Sequence, residues 1–217
     1  MPRRRTPESD ECAHITIRCN NKSFFFDLEH CWEDISAWVD SLPYIFDVAL
    51  HHVVVMSNHM HLLITPKKNN FGEAMSYFLT NLSKYLNYSH KRINHIFGSR
   101  YYPVIINKER HLINVIRYLY QNPQRAGISK TLYDYPYSSL GFYVGTNNPR
   151  LRLEPDLYTR ALFARGLEGR DEWIEQVSMS LPQDDLHIMR RSLGKASFTF
   201  NREQLKNIDV LSTTLVL

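Results

Sequence analysis

The chain has 217 residues, 43% of them hydrophobic, and a formal net charge of +4. That length supports one well-buried core, or a core domain with a small appendage, and the apolar fraction excludes global disorder. No apolar run approaches the roughly 18 residues of a membrane span, and the N-terminal MPRRRTPESDE has arginines with no apolar stretch behind them, so a cytoplasmic protein is expected.

Residues 1–13 read as a flexible basic arm. HITIRCN (14–20) alternates as a strand does, and EHCWEDISAWVDSL (29–42) reads as a helix with Cys31, Ile35, Trp38 and Val39 near one face, stopped by Pro43. FDVALHHVVVM (46–56) is rich in β-branched residues and reads as a central strand. Ser57 and Asn58 form a tight turn into a second strand, HMHLLITP (59–66). A long amphipathic helix (71–92), a short strand (101–107) and a helix (108–122) stopped by Pro123 follow. The order β-α-β-β-α-β-α predicts an α+β domain of the ferredoxin-like, split βαβ kind, with a central antiparallel sheet covered by helices. It spans 14–146. Residues 147–217 read as a small, mainly helical extension with helices near 155–167, 170–180 and 183–193, an ambiguous tail from SFTF onward, and no assigned function. Cys12, Cys19 and Cys31 lack C-x-x-C spacing and are expected as reduced thiols.

The charge is unevenly placed. Between residues 84 and 130 stand Lys84, Lys91, Arg92, Arg100, Lys108, Arg110, Arg117, Arg125 and Lys130, against one acid, Glu109. The extension, by contrast, balances its signs. Such a stretch fits a polyanion partner, although a solvated helix face is the plainer reading. Arg100 and Arg125 are the candidates for phosphate contact.

On a strand, residues two apart share a face, so His59 and His61 project side by side. Two neutral imidazoles on one rigid element can hold a divalent ion; equally, they can be polar residues on a solvent-facing strand whose Met60, Leu62 and Ile64 face the core. On RHLINVIRYLYQN, Leu112, Val115, Ile116 and Leu119 form a buried stripe, with Tyr118 and Asn122 one turn apart on another face and Tyr120 on the opposite flank. Tyr118 alone would be an ordinary boundary residue. Together with the histidines it makes a chemistry: a metal at His59 and His61, its shell completed by the Asn122 carbonyl, would neutralise a phosphodiester that the Tyr118 oxygen attacks.

SNHMHLLITP resembles the His-hydrophobic-His motif of the HUH single-strand nucleases. RYLYQNPQRAGI with YDYPYSSL resembles the tyrosine helix and following loop of the REP-associated tyrosine transposases, single-tyrosine members of that superfamily, and HITIRCNN and HIFGSRYYP resemble two further stretches of it. The resemblance covers about residues 14–143. It implies cleavage of single-stranded DNA at palindromic hairpin repeats through a 5′-phosphotyrosine intermediate and Mg2+ or Mn2+, with Tyr118 as nucleophile, His59, His61 and Asn122 as metal ligands, and Arg18, Asn20 and Asn21 reading bases beside the hairpin foot. It implies a location with the nucleoid, no membrane and no small-molecule cofactor, and it favours a monomer over a dimer with exchanged tyrosine helices. Ser57, Cys19 and Phe97 depart from the residues usual there, proline, glycine and tryptophan. The alternatives are a catalytically silent DNA-binding regulator and a phosphoesterase that uses metal-activated water. The second would need carboxylate ligands, and 43–130 offers only Asp47, Glu73 and Glu109.

Overall fold

The computed structural model describes residues 5–22, 28–98, 100–108, 111–146 and 150–193. Phe24–Phe26, Glu109, Arg110, the Asn147–Pro149 linker and the ambiguous tail lie outside the described residues.

Four strands form one sheet in the order β2-β3-β1-β4, every neighbouring pair antiparallel. They are β1 (Ala13–Arg18), β2 (Val48–Met56), β3 (His59–Pro66) and β4 (Tyr102–Ile105). Two helices, α1 (Leu28–Phe46) and α2 (Phe71–Ser89), are the split βαβ crossovers. This is the α+β arrangement expected.

Period-2 alternation sorts the strands onto two cores. Ile15, Ile17, Val53, Val55, Met60, Leu62 and Ile64 face α1 and α2, meeting Ile35 and Val39 of one helix and Phe78 and Leu82 of the other. Val54, Met56, Leu63 and Val104 face the other way. They meet the stripe Leu112, Val115, Ile116 and Leu119 of α3 (Leu112–Tyr120). Two short helices, α4 (Asn122–Arg125) and α5 (Leu140–Val144), follow α3. The extension supplies α6 (Leu157–Phe163), α7 (Leu167–Ser178) and α8 (Gln183–Leu193), whose Leu162, Trp173, Val177 and Met189 complete this second core.

Three local expectations change. Pro43 does not end α1, which continues to Phe46. A proline near a helix end forfeits a single backbone bond, and Leu42 and Phe46 keep the apolar stripe buried beyond it. The helix expected at 108–122 is broken at Gln121, which caps both α3 and α4 and leaves Pro123 in a first turn, where its missing N–H costs least.

The third concerns β2, which is an edge strand of the sheet and not a central one. Its nine residues are all buried because irregular chain covers the edge. Val55 N–H donates to Tyr137 O at 2.9 Å, Ser139 N–H to Val53 O at 2.9 Å and Glu154 N–H to Leu50 O at 2.9 Å. A strand covered this way has the same apolar composition as a central one.

Of the expected arm, Ser9 and Asp10 are bonded beside the end of β3. Asp10 N–H donates to Pro66 O at 2.8 Å and Ser9 N–H to Asn69 Oδ1 at 2.8 Å. Cys12, Cys19 and Cys31 are free thiols. Among the described residues no helix is long and apolar enough to cross a membrane.

Candidate active site

β1 and β3 run side by side with Thr16 opposite His61 and Arg18 opposite His59. His59 and His61 share one face, as their spacing requires, and Met60, Leu62 and Ile64 pack in the core behind it. The histidine face does not look into solvent. α3 roofs it, so His61 is only 3% exposed and His59 is half-buried.

His59 is held by one ring nitrogen and His61 by both. Asn58 Oδ1 lies 2.6 Å from His59 Nδ1 and can only accept, so His59 donates Nδ1–H and keeps the lone pair on Nε2. Asn122 Nδ2 donates to His61 Nε2 at 2.7 Å, which puts the proton of a neutral His61 on Nδ1, and that nitrogen meets His14 Nε2 at 2.9 Å. The two rings of the pair lie 4.9 Å apart, nearly perpendicular. Burial, then the charge of Arg18, pushes His59 down to about 4; burial, then His14, His59, Arg18 and Arg125, holds His61 well below its ordinary value. Both are therefore neutral near pH 7.

α3 and α4 bring the other groups. The Tyr118 ring stands edge-on to His61 at 6.2 Å between centroids. The Arg125 guanidinium lies 4.8 Å from the centre of the Tyr118 ring and donates to the Tyr118 carbonyl and, at 3.3 Å, to Gln121 Oε1. Burial lowers Arg125 to about 10, which leaves it a cation. Thus Arg125 is a tyrosine partner before it is a surface charge. Arg117, from the same basic stretch, is buried and donates through Nε to Gln176 O at 2.7 Å. Lys84, Lys91, Arg92, Arg100, Lys108 and Lys130 are exposed, as a polyanion surface needs.

Arg18, Asn20 and Asn21 are exposed at the end of β1, Asn21 with φ +53°. Asn20 N–H donates to Ile96 O at 2.7 Å and Cys19 bridges to Phe97, so this end of β1 is joined to the stretch leading to Arg100. A Cβ at Gly98 would sit 2.9 Å from Asn20 Cα, so only glycine permits this approach. Tyr118, His59, His61 and Asn122 thus come together, with Arg18 and Arg125 beside them. Asn20, Asn21 and Arg100 are exposed.

The residues that sequence reasoning missed are His14 and Asn58, which hold the two histidine rings. His14, Thr16 and Arg18 do alternate on one face of β1, but only the register against β3 places that face on the histidines.

Among the described residues no three His, Cys, Asp or Glu side chains gather as a metal cluster, so a divalent ion would rely on two imidazoles and an amide. These fit. Both rings are neutral with Nδ1 engaged; His59 keeps its Nε2 lone pair, and the His61 Nε2 lone pair, which accepts from Asn122 Nδ2, would pass to an ion as the Asn122 amide turned to present its carbonyl oxygen.

A model of the family described as IS200-like transposases matches residues 9–122, more than half of the chain. The chain belongs to the IS200-like transposase family. A Haemophilus influenzae protein provisionally named a REP-associated tyrosine transposase is 25% identical over 124 residues, which cover 48% of this chain and 70% of the relative. A solved structure of a REP-associated tyrosine transposase bound to a REP hairpin matches with a TM-score of 0.55 and 17% identity, over 72% of this chain and 93% of that one. The transposase fold is therefore shared along nearly all of that neighbour.

Proposed function

We propose that this transposase cleaves and rejoins single-stranded DNA beside hairpin-forming repeats, through a 5′-phosphotyrosine on Tyr118, as a monomer that uses its own tyrosine. The observation that carries this reading is the meeting of Tyr118 and Asn122 with His61 in one chain, flanked by two guanidinium groups. The solved neighbour, bound to a REP hairpin, supports hairpin DNA as the substrate.

The exposed lysines and arginines of 84–130 hold the phosphate backbone, and Arg18, Asn20 and Asn21 at the end of β1 read the bases beside the hairpin foot. Arg125, stacked on the phenol ring and bonded to the tyrosine carbonyl, fixes the direction in which the Tyr118 oxygen points. That oxygen attacks phosphorus; the Oη–P bond forms as the P–O3′ bond breaks, the phenol proton is lost to solvent, and the leaving oxygen ends as a free 3′-OH. Rejoining is the reverse attack of a 3′-OH on the phosphotyrosine, so strand transfer needs no external energy source. His59 and His61 through Nε2, with the Asn122 carbonyl, would hold a divalent ion. When bound, the ion withdraws charge from the non-bridging phosphate oxygens. Imidazole donors favour Mn2+ over Mg2+, which prefers oxygen alone.

The test is a denaturing gel after incubation with a single-stranded hairpin oligonucleotide and Mn2+. A protein–DNA adduct in the wild type, lost in Tyr118→Phe, is the expected result. Cleavage with no adduct would point to activated water, and hairpin binding with no cleavage to a silent regulator.

A further inference from the structure

We propose that His14 is the positioning residue of the site: it accepts the Nδ1–H of His61 and so fixes the proton on that side, leaving the Nε2 lone pair aimed at Asn122. The use of that lone pair for a metal rests on the function proposed above; the His14–His61 bond does not.

The geometry is specific. His14 Nε2 and His61 Nδ1 are 2.9 Å apart, and the rings are stacked at 5.0 Å and 17°. The pair sits on neighbouring strands, since His14 lies two residues before the Thr16 that faces His61. Thr16 Oγ1 is also near His61 Nδ1, but at 3.4 Å it is at the limit of a hydrogen bond. On the far side Asn122 donates to Nε2, so the protons run in one direction, from Asn122 to His61 to His14. That direction puts the His14 proton on its own Nδ1.

Stability does not account for a histidine here. His14 is 1% exposed, and its Nδ1 has no hydrogen-bond partner among the described residues. A buried polar atom without a partner is a cost, and leucine of similar volume would avoid it. The residue therefore pays for something else, and among the described residues its one polar ring contact is to His61. An imidazole with both nitrogens engaged has one tautomer and one orientation; one held only at Nε2 can exchange its proton to that nitrogen and lose the lone pair that a metal needs.

Two measurements on the full-length protein test this. Long-range nitrogen–proton NMR reads the tautomers directly, and the metal-free wild type is expected to carry the His61 proton on Nδ1; a proton on Nε2 overturns the proposal. Titration calorimetry with Mn2+ then compares His14→Gln, whose amide oxygen can still accept, with His14→Leu, which cannot. His14→Gln should bind within about threefold of the wild type and His14→Leu about 10- to 100-fold more weakly. Equal Mn2+ affinity in His14→Leu and the wild type overturns the proposal. If His14→Leu fails to fold, His14→Gln and the wild-type tautomer decide: a His61 proton on Nε2 in either one overturns it. A wild type that takes up no Mn2+ yet carries the expected tautomer defeats the metal reading and leaves the His14–His61 assignment standing.

Discussion

Tyr118 and Tyr120 stand two residues apart on α3 and meet different chemistry. Tyr118 is half-buried beside His61, whereas Tyr120 is 2% exposed and bonds His52 Nδ1 at 2.7 Å and Ser139 Oγ at 2.9 Å. Burial, against a smaller opposing effect of the Ser139 bond, pushes the Tyr120 phenol well above its ordinary value, which disqualifies it as a nucleophile. Tyr118→Phe should therefore abolish adduct formation while hairpin affinity stays within about twofold. Tyr120→Phe should keep cleaving and lose about 1–3 kcal/mol of stability, because His52 and Ser139 lose a buried partner. A gel and a thermal melt on the two variants separate these roles. Among the cations, Arg100→Ala should weaken binding to every sequence and flatten the salt dependence by roughly 0.7 in log–log slope, whereas Arg18→Ala should narrow the gap between cognate and scrambled hairpins. Arg125→Gln should instead slow adduct formation more than it weakens binding, since its guanidinium rests on the nucleophile. The histidines also divide. His59→Ala should lose Mn2+ binding with little change in melting temperature, whereas His61→Ala should lose both, because it empties a buried position; calorimetry and a melt check this pair.

At the scale of elements, α3 is held on several sides. Its apolar stripe rests on the sheet and Tyr120 ties it to β2 through His52. Arg117 and Gln121, each one residue before a site residue, reach the end of α7. Gln121 Nε2 donates to Val177 O at 3.0 Å and to Met179 O at 2.7 Å, so one amide satisfies carbonyls that a helix end would otherwise leave bare. The bonds go to main-chain atoms, which cannot move without moving the helix. Gln121→Ala should cost about 1–3 kcal/mol and reduce the rate of adduct formation with hairpin affinity unchanged. Single-turnover kinetics beside a binding titration would show whether the loss lies in the chemical step.

Among the described residues one sheet lies between two cores, and the extension is built into the second. The tie is polar as well as apolar. Asp156 caps α6, accepting from Tyr158 N–H at 3.0 Å and Thr159 N–H at 3.2 Å, and also meets His52 Nε2 at 2.9 Å. Burial raises the Asp156 carboxyl, but bonds from His52 and Thr159 outweigh it and hold the group at about 2. His14 moves in the same sense for stability, lowered by burial and then by His59 to about 3. A group depressed in the folded state contributes fully above its unfolded value and loses that contribution as pH falls. Stability should thus be complete above about pH 6.5 and fall as the unfolded chain takes up protons that buried His14, His59 and His61 refuse. Each should add a slope of up to about 1.4 kcal/mol per pH unit between 6.5 and its folded value. Asp156 should add a second loss between about 3.8 and 2, worth about 2 kcal/mol. Thermal melts from pH 8 to 3 should show a flat region and then a decline beginning near 6.5; a melting temperature rising on acidification would contradict the assignment.

The local pattern of this sequence determined a good deal by itself. Period-2 alternation put His59 and His61 on one face, opposite Met60, Leu62 and Ile64, and 3.6-residue spacing separated the α3 stripe from Tyr118 and Asn122 and turned Tyr120 away. These are properties of one strand or one helix, and the motif order added the family. What the tertiary structure decided is everything that depends on which segments become neighbours. The pairing of His14 with His61 requires the β1–β3 register, which joins residues 47 positions apart in the chain. Arg125 over Tyr118 requires the break at Gln121, and the grip of Gln121 on α7 requires the extension to fold back over α3. The histidine face was legible as a face but not as a roofed one, because alternation tells which side chains point together and never what covers them.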